Sequence, residues 1–152
     1  MDQHELPDRL VFVMCRDDRQ IARAIRDMTV RGAPAIGVTA AMGMALAAKR
    51  SRHRDSKLLL LDLEKAGEMI RATRPTARNL SWAIDRMLRK AKETADAGRD
   101  IREAMVTEAK LMADEDVKAN HTIGRFGAEL IEDGDTVLTH CNTGTMATVS
   151  YG

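Results

Sequence analysis

The chain has 152 residues and a formal net charge of +1, from 24 basic and 23 acidic side chains. That length can bury the core of one domain, while the even charge and the four aromatics (Phe12, Trp82, Phe126, Tyr151) argue against a nucleic-acid grip. Two cysteines make no secreted disulfide scaffold, and the longest apolar run, 40–48, falls short of the roughly 20 residues a bilayer requires.

In chain order, Leu10–Met14 is rich in β-formers and predicts a short strand. Asp17 or Asp18 then caps a helix in which Ile21, Ala24, Ile25 and Met28 recur at helical spacing. From Ala35 to Ala48 only Thr39 is polar. A helix apolar on every side is a buried one, so this segment is expected at the centre of the domain. Pro34 suits its first turn, where a missing N–H costs nothing. Lys49–Lys57 reads as a polar surface loop. A helix follows over 58–72, with Leu59, Leu63, Ala66 and Ile70 on one stripe. Pro75 ends it, because the residue before a proline disfavours helix.

Another helix is expected over about 76–97, capped by Thr76, with Leu80, Ile84, Met87, Leu88 and Ala91 on its apolar face. A long helical stretch runs from Asp100 to about Glu132, with a bend or break expected at Asp114–Asp116. Asp133-Gly134-Asp135 is turn chemistry, and Thr136–His140 reads as a buried strand. The small and polar residues 141–148 lead from that strand into a helix, a βα unit. Such units are held by parallel neighbours, and no later strand follows in the sequence. The expected remedy is a separately encoded α/β half, or self-association through the open strand edge. The polar first residues show no signal pattern, which together with the unpaired cysteines predicts a cytoplasmic chain.

Three clusters carry candidate chemistry. Arg31-Gly32-Ala33-Pro34 precedes a helix, whose free amides and partial positive charge attract anions. Gly32 and Ala33 would not obstruct a phosphate, and Arg31 could clamp one. On their own these residues also suit a plain loop with a proline helix start. Arg74, in Thr73-Arg74-Pro75-Thr76, sits in a helix-breaking turn and could hold a phosphate; a solvent-exposed linker arginine is the simpler reading of that tetrapeptide. Cys141 would lie at the end of a strand, facing a helix start, where the dipole favours a thiolate and where open α/β sheets bind ligands. A buried structural cysteine is the alternative. Adjacent His140 and Cys141, with no second ligand pair, do not have zinc spacing. Cys15 reads as packing, and the basic run Lys49, Arg50, Arg52, Arg54 as a solvated loop.

Taken together, residues 26–37 (Arg-Asp-Met-Thr-Val-Arg-Gly-Ala-Pro-Ala-Ile-Gly), 74–83 (Arg-Pro-Thr-Ala-Arg-Asn-Leu-Ser-Trp-Ala) and 139–144 (Thr-His-Cys-Asn-Thr-Gly) resemble, in order, three blocks of the methylthioribose-1-phosphate isomerase family. Its relatives include archaeal ribose-1,5-bisphosphate isomerases and the regulatory subunits of translation initiation factor 2B. The resemblance implies a mostly α chain: a helical N-terminal domain, residues 1–133, then the first strand of a truncated Rossmann-like α/β domain, residues 134–152. It implies an aldose–ketose isomerase acting on a sugar phosphate, with Cys141 catalytic and Arg31, Gly32, Ala33 and Arg74 binding substrate. It implies neither a metal nor an organic cofactor. The family's N-terminal β-hairpin would precede Met1. Its acid/base aspartate belongs to the α/β domain and matches no residue here, so the chain alone is expected to be inactive.

Overall fold

The computed structural model describes residues 1–152. It contains five helices: α1 (Asp18–Arg26), α2 (Ala33–Arg50), α3 (Ser56–Arg71), α4 (Arg78–Asp96) and α5 (Ile101–Ala128).

Helix α2 is the hub, and all four other helices pack against it. Its composition explains this position. It presents alanine, methionine and isoleucine on every side, and Ile36, Ala40, Ala41, Met44 and Ala48 are buried. Glycines let its neighbours come close. A Cβ at Gly43 would lie 2.8 Å from Ile21 Cγ2 of α1 and 3.1 Å from Ile70 Cδ1 of α3. The surrounding helices are amphipathic and turn their apolar stripes inward: Ile21 and Ile25 from α1, Leu59, Leu63 and Ile70 from α3, Leu80, Ile84 and Met87 from α4, and Met105 and Met112 from α5. Met44, Met87, Met105 and Met112 fill the irregular space between helices.

Helix starts follow side-chain capping. The Asp17 carboxylate accepts from Gln20 N–H at 2.8 Å, Asp55 accepts from Lys57 and Leu58 N–H, and Asp100 accepts from Arg102 N–H. The expected Thr76 cap is not used; α4 starts at Arg78, after Ala77, with no side-chain cap. The expected break at Asp114–Asp116 is also absent. Helix α5 runs through it, because Glu115 is tied to Arg86 of α4 and supports the helix at that point.

Neither expected strand forms. Leu10–Met14 joins no ladder and has one backbone bond, from Asp2 N–H to Val11 C=O at 2.8 Å. Thr136–His140 makes no backbone–backbone hydrogen bond, and Leu138 is 95% exposed. A strand is stable only beside another strand, and nothing in the structure pairs with either segment. The helix expected after Cys141 is likewise replaced by turns and bends. No helix is long and apolar enough to cross a membrane.

One polar network crosses the α4–α5 seam. Arg86 Nε donates to Glu108 at 2.7 Å, its terminal nitrogens grip both oxygens of Glu115 at 2.5 and 3.0 Å, and its guanidinium lies 5.7 Å from the Trp82 ring centre. Lys90 approaches Glu108 at 3.4 Å. The Glu108 side chain is only 9% exposed, so removing Arg86 leaves a poorly compensated buried charge. Arg86→Ala is expected to cost about 3 kcal/mol, and pairing Arg86→Met with Glu108→Met to restore most of it, both read by urea denaturation. The hydrogen bonds from Arg86 hold the Glu115 carboxyl below its ordinary range. Its contribution is therefore present above the ordinary carboxylate pKa and lost as pH falls through the lowered value. Glu115→Gln should flatten that acid limb of a stability–pH profile, by a small amount because the side chain is about half exposed.

Candidate functional site

The start of α2 is where the first block, the N-terminal segment and the residues just after the third block come together. Gly32 precedes the helix with φ of +95°, a conformation that side chains rarely adopt. A Cβ there would sit 2.3 Å from Ala147 Cα, so this turn requires glycine for conformation and for space. Pro34 occupies the first turn. It presets φ and donates no N–H.

A helix start leaves amides without intrahelical partners. Here some are taken: Ala35 N–H donates to Ala147 C=O at 3.1 Å, and Ile36 N–H to Gly32 C=O at 2.9 Å. The Gly32 and Ala33 amides have no protein acceptor, and Ala33 is exposed. The helix dipole adds partial positive charge at this point. Arg31 is also exposed. Its guanidinium donates to Gln3 C=O at 3.2 Å and forms no ion pair with a carboxylate.

Gln3 is the residue that the sequence reading missed. It is 5% exposed. Its side-chain amide donates to Arg31 C=O at 3.3 Å and to Met146 C=O at 2.8 Å, and its backbone N–H donates to Thr29 C=O at 2.9 Å. One side chain thus ties the N-terminal segment, the Arg31 turn and the segment after Cys141 together. Nothing in the local pattern marked it, because Gln3 sits in a polar stretch with no periodicity.

The second block reaches α2 through the start of α4. A Cβ at Gly37 would lie 3.1 Å from Asn79 C=O. Arg74 precedes this contact in the turn between α3 and α4. It is half-buried, its carbonyl accepts from Ala77 N–H at 3.0 Å, and its guanidinium has no carboxylate partner.

Cys141 is placed differently from the expectation. It is exposed, has φ of +63°, and makes no hydrogen bond with α2. With no strand before it and no helix after it, no helix dipole bears on its thiol in this structure. In this structure it is also not the buried cysteine of the alternative reading. The residues after the third block reach this region instead, Met146 through Gln3 and Ala147 through Ala35. Cys15, by contrast, is half-buried, and burial together with the nearby Asp17 charge raises its pKa, which keeps it a thiol.

A cavity of about 400 Å³ opens beside the α2 start, with Gln3, Val30, Ala35, Thr39, Met146 and Thr148 in its wall. No acidic side chain lines it, and its size falls in the range of small-molecule sites. The largest cavity, about 550 Å³, lies over α1, α2 and α5; it is mostly apolar and includes neither Gly32 nor Ala33. No three His, Cys, Asp or Glu side chains come together to hold a metal ion.

A five-helix domain whose central helix starts at an Arg-Gly-Ala-Pro turn matches a known family. The family described as "Initiation factor 2 subunit family" matches residues 29–151, and the chain belongs to it. Among curated relatives, a putative methylthioribose-1-phosphate isomerase of Methanothermobacter thermautotrophicus is 49% identical over 152 residues, all of this chain and 42% of that protein. The methylthioribose-1-phosphate isomerase of Thermosipho africanus is 45% identical over all of this chain and 44% of its own length. Two solved structures have the same fold. The 5-methylthioribose 1-phosphate isomerase of Pyrococcus horikoshii OT3 aligns with a TM-score of 0.87 and 42% identity, covering 99% of this chain and 42% of that one. Translation initiation factor eIF-2B, subunit delta, from A. fulgidus aligns at 0.86 and 43% identity, covering 98% and 44%. The chain corresponds to the N-terminal part of these relatives and spans less than half of their length.

The Gly32 contact makes a direct test of the site's construction. Gly32→Ala is expected to lower stability by about 2 kcal/mol or more, from backbone strain and collision with Ala147. Limited proteolysis of the variant should cut faster within 144–151, whereas an unchanged rate and melt would refute the close packing of that turn.

Proposed function

We propose that this chain supplies the phosphate-binding side of an aldose–ketose isomerase that interconverts 5-methylthioribose 1-phosphate and 5-methylthioribulose 1-phosphate. The observation that carries the reading is an α2 start, packed against Ala147 and near Asn79 of the second block, whose Gly32 and Ala33 amides are free. The names of the relatives supply the reaction and the substrate; the residues supply the anchoring chemistry.

A sugar 1-phosphate cannot open its ring by losing an anomeric proton, because the anomeric oxygen is esterified. The bond between C1 and the ring oxygen must break while that oxygen takes a proton. A hydrogen then passes from C2 to C1, and the C2 hydroxyl gives up its proton to become the ketone. The steps need an acid near the ring oxygen and a pocket shielded from water. In this reading the Gly32 and Ala33 amides, Arg31 and Arg74 anchor the phosphate, and Cys141 acts on the reacting carbons in proton transfer or polarisation. Residues 1–133 are the helical domain. Residues 134–152 begin a Rossmann-like α/β domain, with Thr136–His140 as its first strand, and ordering of that strand would carry Cys141 to the site. The acid/base group lies outside this chain, so the 152 residues alone bind substrate without turning it over.

A second reading is favoured by the likeness to the initiation-factor subunit: the helical domain senses a sugar phosphate, or holds a partner, without catalysis. Isomerases of other pentose 1-phosphates would use the same phosphate anchor.

Titration of the isotope-labelled chain with 5-methylthioribose 1-phosphate, followed by amide NMR, tests the anchor. Shifts are expected at Gly32 and Ala33, and Arg31→Met should weaken binding about tenfold, the loss of one charge-assisted hydrogen bond. An absence of shifts at those amides would sink the reading. Formation of 5-methylthioribulose 1-phosphate by the chain alone would overturn the placement of the acid elsewhere. Phosphate binding with no turnover even in a chain extended to the relatives' length would favour the sensing role.

A further inference from the structure

A second, smaller cleft adjoins the α2 start. It has a volume of about 250 Å³ and lies between Pro34 and Val38 of α2, Asn79 and Trp82 of α4, and Met112 and Asp116 of α5. Pro34 follows Ala33 directly, so the cleft begins one residue from the free amides. Its wall is mixed. Val38, Met112 and the Trp82 ring are apolar, whereas Asn79 and Asp116 can form hydrogen bonds. No lysine or arginine lines it.

Trp82 is the only tryptophan of the chain and is 52% exposed. Tryptophan is highly buried on average, so a half-exposed ring on a packed helix is unusual. The ring is also held in place. The Arg86 guanidinium lies 5.7 Å from its centre, within cation–π range, and Arg86 is itself fixed by Glu108 and Glu115. A ring fixed in advance loses little freedom when a ligand settles on it. Glu115 also lines the cleft, but its charge is matched by Arg86. The charge of Asp116 is not: its carboxylate accepts from Val149 N–H at 2.8 Å and joins no salt bridge. The cleft thus pairs an apolar platform with one uncompensated negative charge.

We propose that this cleft is the subsite for the C5 end of the sugar phosphate, and that it selects an uncharged, apolar C5 group over a second phosphate. The inference rests on the phosphate anchor at the α2 start. With the 1-phosphate on the Gly32 and Ala33 amides, sugar hydroxyls donate to Asp116 and Asn79, and the methylthio group lies against Trp82 and Met112. Sulfur against an aromatic ring is a favourable contact. A phosphate at C5 would meet an unpaired carboxylate, an apolar ring and no cation, and would lose hydration without compensation. The 400 Å³ cavity beside Gln3 has no acidic side chain and offers no such discrimination. The anchor treats all pentose 1-phosphates alike, while the cleft separates a 5-methylthio sugar from a 1,5-bisphosphate.

The single tryptophan serves as the reporter. Titration of the chain with 5-methylthioribose 1-phosphate is expected to move Trp82 emission to shorter wavelength, as the ligand displaces water from the ring. That sugar should bind about tenfold tighter than inorganic phosphate, which shifts the Gly32 and Ala33 amides and leaves the emission unchanged. Ribose 1,5-bisphosphate should bind about tenfold more weakly than the methylthio sugar. By calorimetry, Trp82→Ala should abolish the gain over inorganic phosphate and Trp82→Phe should keep most of it. Asp116→Asn, whose side-chain oxygen can still accept from Val149, should narrow the difference between the two sugars. Unchanged emission, equal affinity for both sugars, or parental binding of the methylthio sugar by Trp82→Ala overturns the proposal. So do ligand shifts that run to Gln3, Thr39 and Thr148 in place of Asn79 and Trp82. Inorganic phosphate reads the anchor separately: shifts at Gly32 and Ala33 with no response of Trp82 to the sugar sink the subsite alone, and no shift at those amides sinks the anchor.

Discussion

Helix α2 has no polar face, and that single constraint orders the molecule. A helix apolar all round has to be enclosed, which takes partners on every side, and α1, α3, α4 and α5 provide them. Each partner needs only one apolar stripe. The small residues of α2 set the spacing, since Gly43 admits Ile21 and Ile70, and Gly37 admits Asn79. The cost of enclosing a helix is that its ends, with unpaired amides at one and carbonyls at the other, must still be satisfied. At the N-terminal end the chain spends a glycine with positive φ, a proline, a buried glutamine and the Ala147 carbonyl on this task. It stops short of satisfying everything, and the Gly32 and Ala33 amides are left over.

This arrangement explains why the site belongs to the fold rather than being added to it. An anion at a helix start gains most when the helix is rigid and the local dielectric is low. Enclosure of α2 provides the first; Arg31 and Ala33 themselves are exposed. Arg31 is oriented by a carbonyl of the N-terminal segment rather than by a carboxylate. Its charge therefore remains available to a ligand, unlike that of Arg86, which Glu108 and Glu115 consume. The two arginines illustrate opposite uses of one side chain: Arg86 joins two helices, and Arg31 keeps its charge unspent.

Much of this was legible in the sequence, for identifiable reasons. The five helices and the centrality of α2 follow from local periodicity and from the apolar run 35–48, signals that lie within single segments. The Arg31–Pro34 turn was legible because proline and glycine have narrow conformational roles. Gln3 was not, since its importance comes from three carbonyls brought together from distant parts of the chain. The expected break at Asp114–Asp116 failed for the same kind of reason. Local polarity suggested an interruption, but Arg86 reaches across from α4 and stabilises Glu115 within the helix.

The two strand expectations failed differently, and the difference is informative. Helix propensity is satisfied by a segment's own backbone, whereas strand propensity only states what a segment would do beside another strand. Thr136–His140 retains the composition of a strand and leaves its backbone groups unpaired. Cys141 inherits that condition, because its position depends on the segment before it rather than on the helical core. The α2 start is held by the helices around it together with Gln3 and Ala147, and needs no sheet. The thiol needs a sheet. On the proposed function, the anchoring half of the chemistry and the reactive half thus rest on different kinds of structure, one that folds within these residues and one that requires pairing.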